Sequence, residues 1–225
     1  MVVTPGISRL ISISKRLNIY SYLALAGIVG PIVFVVGDLT ASLATPNYSL
    51  VSNSISSLAL TPMGWLQTVG FLAMGLLVEV FVHGLLFNIR RAWGFHLSIG
   101  LAVLFGFGLL LIGAFRTDPT GTQRTIEGII HLATAYSVFW LFPIAILLLT
   151  PSLKGDPNWR NLFVYTLAAG VLGLALVMAS LFLIDRVGWF GLYERILVAN
   201  IIIWVEVVAV RLLHLSLRRE PKPQY

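Results

Sequence analysis

The side chains of this sequence that could do chemistry stand at the ends of long apolar segments or in the short polar stretches between them. They comprise carboxylates, one histidine, arginines and serines: Asp38, Ser54, Ser57, Arg116, Asp118, Glu127, His131, Glu194 and Arg195. A carboxylate beside a histidine can help to hold a cation, or can orient the imidazole as a general base. Brought to one surface, these residues would form a polar site, although loops beside a bilayer are also polar simply because they are wet.

The spacing of these residues carries some structural information. Glu127 and His131 are four residues apart, so on a helix they share one face. Asp118 lies in a Thr-Asp-Pro-Thr-Gly turn just before that helix. One histidine with scattered carboxylates lacks the spacing of a His-Glu-x-x-His ligand set, so the sequence predicts neither a bound metal nor a cofactor. No Gly-x-Ser-x-Gly elbow surrounds Ser54 or Ser57, and whether the protein is an enzyme stays open.

The composition places these residues in a membrane protein. Of the 225 residues, 58% are hydrophobic and only 11% are charged, whereas soluble domains carry about 25% charged residues. The net charge of +6 does not indicate nucleic acid binding, because the basic residues stand at the ends of apolar segments. The chain has no cysteine, which excludes disulfides, thiolate metal sites and cysteine nucleophiles.

The apolar segments predict an all-α, polytopic bundle of six transmembrane helices. About 20 apolar residues cross a bilayer as a helix, because the backbone must satisfy its own hydrogen bonds there. The predicted spans are 20–43, 64–88, 93–115, 126–150, 162–184 and 192–217. They form one domain over 20–217, preceded by an arm over 1–19 and followed by a basic tail over 218–225.

The lysines and arginines predict the orientation of the bundle. Eleven fall on one side: Arg9, Lys15, Arg16, Arg90, Arg91, Lys154, Arg160, Arg211, Arg218, Arg219 and Lys222. Four fall on the other side: Arg116, Arg124, Arg186 and Arg195. Since cytoplasmic loops carry the excess of positive charge, we expect both termini in the cytoplasm of a cell-membrane protein. The candidate polar site then lies at the outer face, and the basic tail contacts anionic lipid headgroups.

The first outer loop has a pattern of its own. Between Pro46 and Pro62 it has no charged residue, and Val51, Ile55 and Leu58 recur at helical spacing. The pattern is typical of a short helix that lies at the interface or covers the rim as a lid.

Two carboxylates lie deeper within the predicted spans. Burying a charge at mid-membrane costs about 2.5–3.5 kcal/mol, so Glu79 and Glu206 are expected to face the bundle and to have partners. His83, four residues from Glu79, is the expected partner. The two carboxylates could form a proton or cation path, or could be hydrogen-bonded groups that hold helices together.

Five short segments stand in a fixed order along the chain. They are Tyr48-Ser49-Leu50 running into Ser54-Ile55-Ser56-Ser57-Leu58, then Gly64-Trp65-Leu66-Gln67, Phe115-Arg116-Thr117-Asp118-Pro119, Gly128-Ile129-Ile130-His131 and Gly191-Leu192-Tyr193-Glu194-Arg195. The ordered set resembles the bacterial and archaeal membrane proteins grouped as domain of unknown function 998. Arg116 stands where that family usually has proline, and Glu194 where it tends to have glutamine. The resemblance implies a six-helix membrane protein and no particular activity.

Three functions are compatible with these features. The first is binding or processing of a lipid-like or small polar ligand, and it predicts that Asp118, His131 and Arg195 converge on one cavity under the first outer loop. The second is an accessory role, in which the protein associates with other membrane subunits or with itself. The third is a small proton- or cation-coupled transporter that uses Glu79 and Glu206. Membrane lipids are expected partners in every case, and nucleic acid in none.

Overall fold

The computed structural model describes residues 17–183 and 188–218. Within these residues the chain is all-helical, with no β-strand. The six long helices are α1 (Ile19–Ala44), α2 (Gly64–Asn88), α3 (Phe95–Ala114), α4 (Ile126–Gly155), α5 (Phe163–Leu183) and α6 (Phe190–Leu217). Two short 3₁₀-helices, Ile55–Leu60 and Arg160–Leu162, lie in the connections. The six helices are long and apolar enough to cross a membrane, and the chain is a multi-pass membrane protein.

Local sequence signals set where several helices begin. Asn18 caps α1 in a capping box, since its side chain accepts from the backbone N–H of Ser21 and the Ser21 hydroxyl accepts from the backbone N–H of Asn18. Thr125 caps α4 by accepting from the backbone N–H of Gly128. Without these contacts, the first N–H groups of each helix would lack acceptors.

The helices form a ring in chain order. Each helix packs against the next one along the chain, and α1 also packs against α6, which closes the ring. α5 packs extensively on α4 and more sparsely on α6. The ring is filled by apolar side chains, among which Phe142 of α4 lies between Phe105 of α3 and Trp204 of α6, with ring centroids 5.0 and 5.5 Å away.

A polar cluster fixes one end of the bundle. The carboxylate of Asp156 accepts from the backbone N–H of Arg90 at 2.9 Å and from that of Asn158 at 2.8 Å. The buried indole of Trp159 donates to the Asn88 carbonyl at 3.0 Å. These contacts join the α2–α3 and α4–α5 connections. The opposite end carries residues 45–63, the α1–α2 loop, and is called the loop end below.

The predicted spans agree with the observed helices to within a few residues. The largest difference is at α4, which continues through Pro151 and ends at Gly155 rather than at residue 150. Pro151 has no backbone N–H, so it removes only one hydrogen bond from the helix. The other N–H groups of the last turns still have carbonyl acceptors. Most of the predicted arm over 1–19 and of the tail over 218–225, the end of the fifth span at residue 184 and Arg186 lie outside the described residues.

Candidate functional site

The α1–α2 loop lies folded over the loop end of the bundle. Its 3₁₀-helix, Ile55–Leu60, is capped by Ser54, whose hydroxyl accepts from the backbone N–H of Ser57 at 3.2 Å. Ile55 and Leu58 are buried, as their spacing predicts, whereas Val51 is 49% exposed. The loop therefore presents two apolar side chains to the bundle, and its polar side chains lie around them.

Arg195, one turn into α6, holds this loop with its guanidinium group. Its Nη1 donates to three backbone carbonyls, those of Leu50 at 3.1 Å, Asn53 at 3.0 Å and Gly191 at 3.2 Å. Its Nη2 donates to the Tyr48 hydroxyl at 2.9 Å. One cation thus satisfies several acceptors of a loop that has no charge of its own.

Asp38 of α1 is the counterion of Arg195. Its Oδ1 lies 3.3 Å from Nη2, and the side chains of Arg195 and Asp38 are only 16% and 10% exposed. Because both charges are shielded from water, each depends on the other. The Tyr48 hydroxyl donates to the Ser54 carbonyl at 2.7 Å, and burial raises the pKa of this phenol, which keeps it a donor.

Glu194, the neighbour of Arg195, holds the loop at a second point. Its Oε2 accepts from the backbone N–H of Ile55 at 2.6 Å. The backbone N–H of Leu192 donates to the Val51 carbonyl at 3.0 Å. A side chain at Gly191 would overlap the backbone of the loop. The first turn of α6 therefore binds the loop with backbone and side-chain contacts together.

His131 of α4 is 4% exposed and is oriented by a backbone carbonyl. Its Nδ1 lies 2.8 Å from the carbonyl oxygen of Phe115, at the end of α3. A carbonyl can only accept, so Nδ1 carries the proton, and in the neutral ring Nε2 is left as an acceptor.

A cavity of about 170 Å³, called the large cavity, lies beneath the loop between α4, α5 and α6. Most of its lining surface is apolar, and hydroxyl, imidazole and carboxyl groups supply the rest. The lining residues are Ser54, Ser56, Thr117, His131, Leu132, Ala135, Tyr136, Phe139, Val177, Ser180, Phe190, Tyr193, Glu194 and Leu197. A small cavity of about 40 Å³ lies towards the bundle centre, among the phenylalanines of α1, α2 and α3. Both cavities are lined by Ser56, His131 and Glu194, which we call the polar wall.

The structure brings together only part of the predicted site. Of Asp118, His131 and Arg195, which were expected to converge on one cavity, His131 alone lines the large cavity. Arg195 and Asp38 line a separate groove between α1 and α6. This part of the prediction is wrong, because the Arg195 guanidinium binds the loop carbonyls and Asp38 on the side of α6 that faces α1.

Three other predicted residues at the loop end do not line the large cavity: Asp118, Arg116 and Glu127. Asp118 accepts from the backbone N–H of Thr125 at 3.0 Å and from its hydroxyl at 2.7 Å, and so supports the start of α4. Arg116 and Glu127 are exposed, and His131 is oriented by the Phe115 carbonyl rather than by the Glu127 carboxylate. Within residues 17–183 and 188–218, no three histidine, aspartate or glutamate side chains are grouped closely enough to hold a metal ion.

The deeper carboxylates are not paired as expected. His83 is exposed, and its Nδ1 contacts the backbone carbonyl of Glu79 at 2.8 Å rather than the carboxylate. The Glu79 carboxylate lies against Gly106 of α3, with Oε1 buried and unpartnered in the described part of the chain. Neither Glu79 nor Glu206 is among the residues that line the cavities described above.

Sequence reasoning missed several residues of the site. Tyr48 links Arg195 to the loop, and Ser56 completes the polar wall. Ala135 and Phe139 follow His131 at helical spacing along the cavity side of α4. That spacing was visible in the sequence, but Ala135 and Phe139 look like ordinary packing residues until the cavity beside them is known.

Comparison with known proteins places the chain in a family. The family model described as "Protein of unknown function (DUF998)" matches residues 28–211, which confirms the resemblance carried by the five segments. No curated protein and no solved structure matches the chain.

Proposed function

Since the chain belongs to this family of proteins of unknown function, its role has to be argued from the site, and we propose that it binds a lipid-like ligand in the large cavity. The observation that carries the proposal is the division of the cavity lining. Apolar surface from α4, α5 and α6 makes most of it, and the polar wall, which also lines the small cavity, adds a hydroxyl, an imidazole and a carboxyl group. Ligand sites in proteins have this character, with a few placed polar groups in an apolar pocket.

The size of the cavity supports a ligand that is only partly enclosed. A cavity of about 150 Å³ in another protein holds benzene, so about 170 Å³ holds a short alkyl segment and a small polar group. The rest of a longer chain would extend between α5 and α6, where packing is sparse. A membrane lipid or another single-chain amphiphile would then enter sideways from the bilayer.

The proposed setting is the outer face of the cell membrane. Among the described residues, five exposed lysines and arginines lie at the end opposite the loop: Arg90, Arg91, Lys154, Arg160 and Arg218. Arg195 is neutralised by Asp38, so the exposed arginines described at the loop end are Arg116 and Arg124. This distribution favours the loop end as the outer face.

A photoreactive probe tests the binding proposal. The purified protein is placed in nanodiscs of neutral synthetic lipid with a dodecanol that carries a diazirine on its alkyl chain. After irradiation, we expect one probe per protein by intact mass, with label on peptides of α4, α5 or α6, and loss of label on addition of plain dodecanol.

Two alanines of α4 supply a matched pair of variants. Ala135 lines both cavities, so Ala135→Phe fills the site, whereas Ala133 is exposed on the same helix and Ala133→Phe leaves the site open. We expect labelling to fall in Ala135→Phe and to persist in Ala133→Phe. Equal labelling in the two variants would mean that the probe reports lipid contact alone, and the proposed function would be wrong.

A further inference from the structure

The hydrogen-bonding groups of the large cavity are not evenly divided between donors and acceptors. Glu194 offers a carboxylate oxygen, because Oε2 accepts from Ile55 and Oε1 has no hydrogen-bond partner among the described residues. His131 offers Nε2 as an acceptor, since Nδ1 donates to a carbonyl. The two strongest groups of the polar wall are therefore both acceptors.

Several possible donors of the lining are already engaged. The Tyr193 hydroxyl donates to the Leu176 carbonyl, and the Ser180 hydroxyl donates to the Val177 carbonyl at 2.6 Å. Ser54 and Ser56 lie within 3.5 Å of each other through their hydroxyls, and Ser54 also accepts from Ser57. Among the described lining residues, the donors that remain are neutral hydroxyl groups.

Among residues 17–183 and 188–218, no lysine or arginine side chain lines the large cavity. Arg195 follows Glu194 directly in sequence, but its guanidinium is bound to Asp38, Tyr48 and the loop carbonyls. A phosphate or carboxylate head group would thus meet the Glu194 carboxyl group and no cation among the described lining residues, and its desolvation would be uncompensated.

From this arrangement we infer that the ligand carries a hydrogen-bond-donating head group, a primary amine or a hydroxyl, on a single alkyl chain. A primary ammonium group donates to Glu194 Oε1 and His131 Nε2 and neutralises the carboxylate. A hydroxyl donates to one of them and accepts from a serine. The inference rests on the proposed function, because it specifies the ligand of the same cavity.

Competition for the photoreactive dodecanol tests the head group directly. Dodecylamine, dodecanol and dodecanoate share one chain and differ in charge, and their concentrations are expressed as mole fractions in the nanodisc to remove differences in partitioning. Near neutral pH we expect dodecylamine to compete at least as well as dodecanol. Dodecanoate should compete at least about tenfold more weakly than dodecylamine, because the loss of one charge-assisted hydrogen bond lowers affinity by about that factor.

Glu194→Gln provides the matched variant. Glutamine keeps an oxygen that accepts from the Ile55 N–H, so the loop contact survives while the charge is removed. In this variant we expect competition by dodecylamine to weaken by about tenfold and competition by dodecanol by less than about threefold. Retained labelling by the dodecanol probe shows that the variant is folded.

The possible failures of the two proposals can be told apart. The head-group inference is overturned if, in the wild-type protein, dodecanoate displaces the probe at a mole fraction less than about tenfold above that of dodecylamine. The binding proposal then still stands. The same holds if Glu194→Gln leaves dodecylamine unchanged. If none of the three compounds displaces the probe, the cavity is not a specific site, and both proposals are wrong.

Discussion

Replacing Arg195 with methionine removes the cation that holds the α1–α2 loop and leaves Asp38 without a counterion. Methionine retains an apolar stem of similar reach, so the lost charge is the main change. The Asp38 side chain is only 10% exposed, and breaking a buried ion pair by deleting one partner costs about 3–5 kcal/mol. We expect Arg195→Met to lower the free energy of unfolding by that amount.

The second member of the pair gives a smaller loss. Asp38→Asn removes the counterion but keeps an oxygen that can accept from Nη2, and Arg195 still donates to its other acceptors. We expect this variant to cost about 1–2 kcal/mol, which is typical of one weakened hydrogen bond to a charged group.

The double variant separates an ion pair from two independent contacts. In Asp38→Asn with Arg195→Met no unpaired charge remains, so we expect it to be more stable than Arg195→Met alone by about 1–3 kcal/mol. Unfolding is followed in mild detergent by the fluorescence of the six tryptophans as denaturing detergent is added. Arg116→Met, at an exposed arginine, serves as the control and should lie within about 0.5 kcal/mol of wild type.

Two results would refute this reasoning. The ion pair would be unimportant if the free energy of unfolding of Arg195→Met lay within about 1 kcal/mol of the wild-type value. That difference is well below the cost of an isolated buried charge. The two residues would act independently if the double variant lost the sum of the two single losses.

Three further outcomes follow from the loop end. Gly191→Ala places a Cβ against the backbone of the α1–α2 loop and should destabilise the protein by about 1–3 kcal/mol, whereas Gly100→Ala, with nothing within 4 Å, should be neutral or slightly stabilising in the same unfolding assay. Asp118→Ala removes the acceptor for the first residues of α4 and should cost about 1–2 kcal/mol, with the exposed Glu127→Ala as a control that should cost less than about 1 kcal/mol. Because the chain has no cysteine, Thr120→Cys gives a single thiol on an exposed turn, and an impermeant maleimide should label it in intact cells; labelling only after the cells are opened would reverse the proposed orientation.

The fold was largely predictable because each span carries its own signal. Twenty or more apolar residues in a row specify a membrane helix regardless of what it packs against. The order of the helices in the ring has no comparable signal, and the contact between α1 and α6 joins the two ends of the described chain. For this reason Asp38 and Arg195 could both be named as candidates, while their pairing could not be foreseen.

The candidate site was predictable in its residue types more than in its geometry. Glu127 and His131 share a face of α4, but that face runs from water into the bundle, so the first residue is exposed and the second is buried. The partner of His131 is the carbonyl of Phe115, and every residue has such a carbonyl. A sequence can mark a histidine inside a span, but it does not mark the backbone atom that orients it.

Glu194 joins the loop to the cavity, because one of its oxygens accepts from the Ile55 N–H and the other has no hydrogen-bond partner among the described residues. The two tasks can be separated by substitution. Glu194→Ala removes both oxygens, so the loop contact and ligand binding should weaken together, whereas Glu194→Gln should weaken only the binding of an amine. Val51→Cys places a single thiol on the α1–α2 loop, and the rate of its maleimide labelling measures how firmly the loop is held. This rate should increase in Glu194→Ala and not in Glu194→Gln. Equal labelling rates in the two backgrounds would mean that the Glu194 contact does not hold the loop, and that ligand binding at the polar wall does not affect the loop through Glu194.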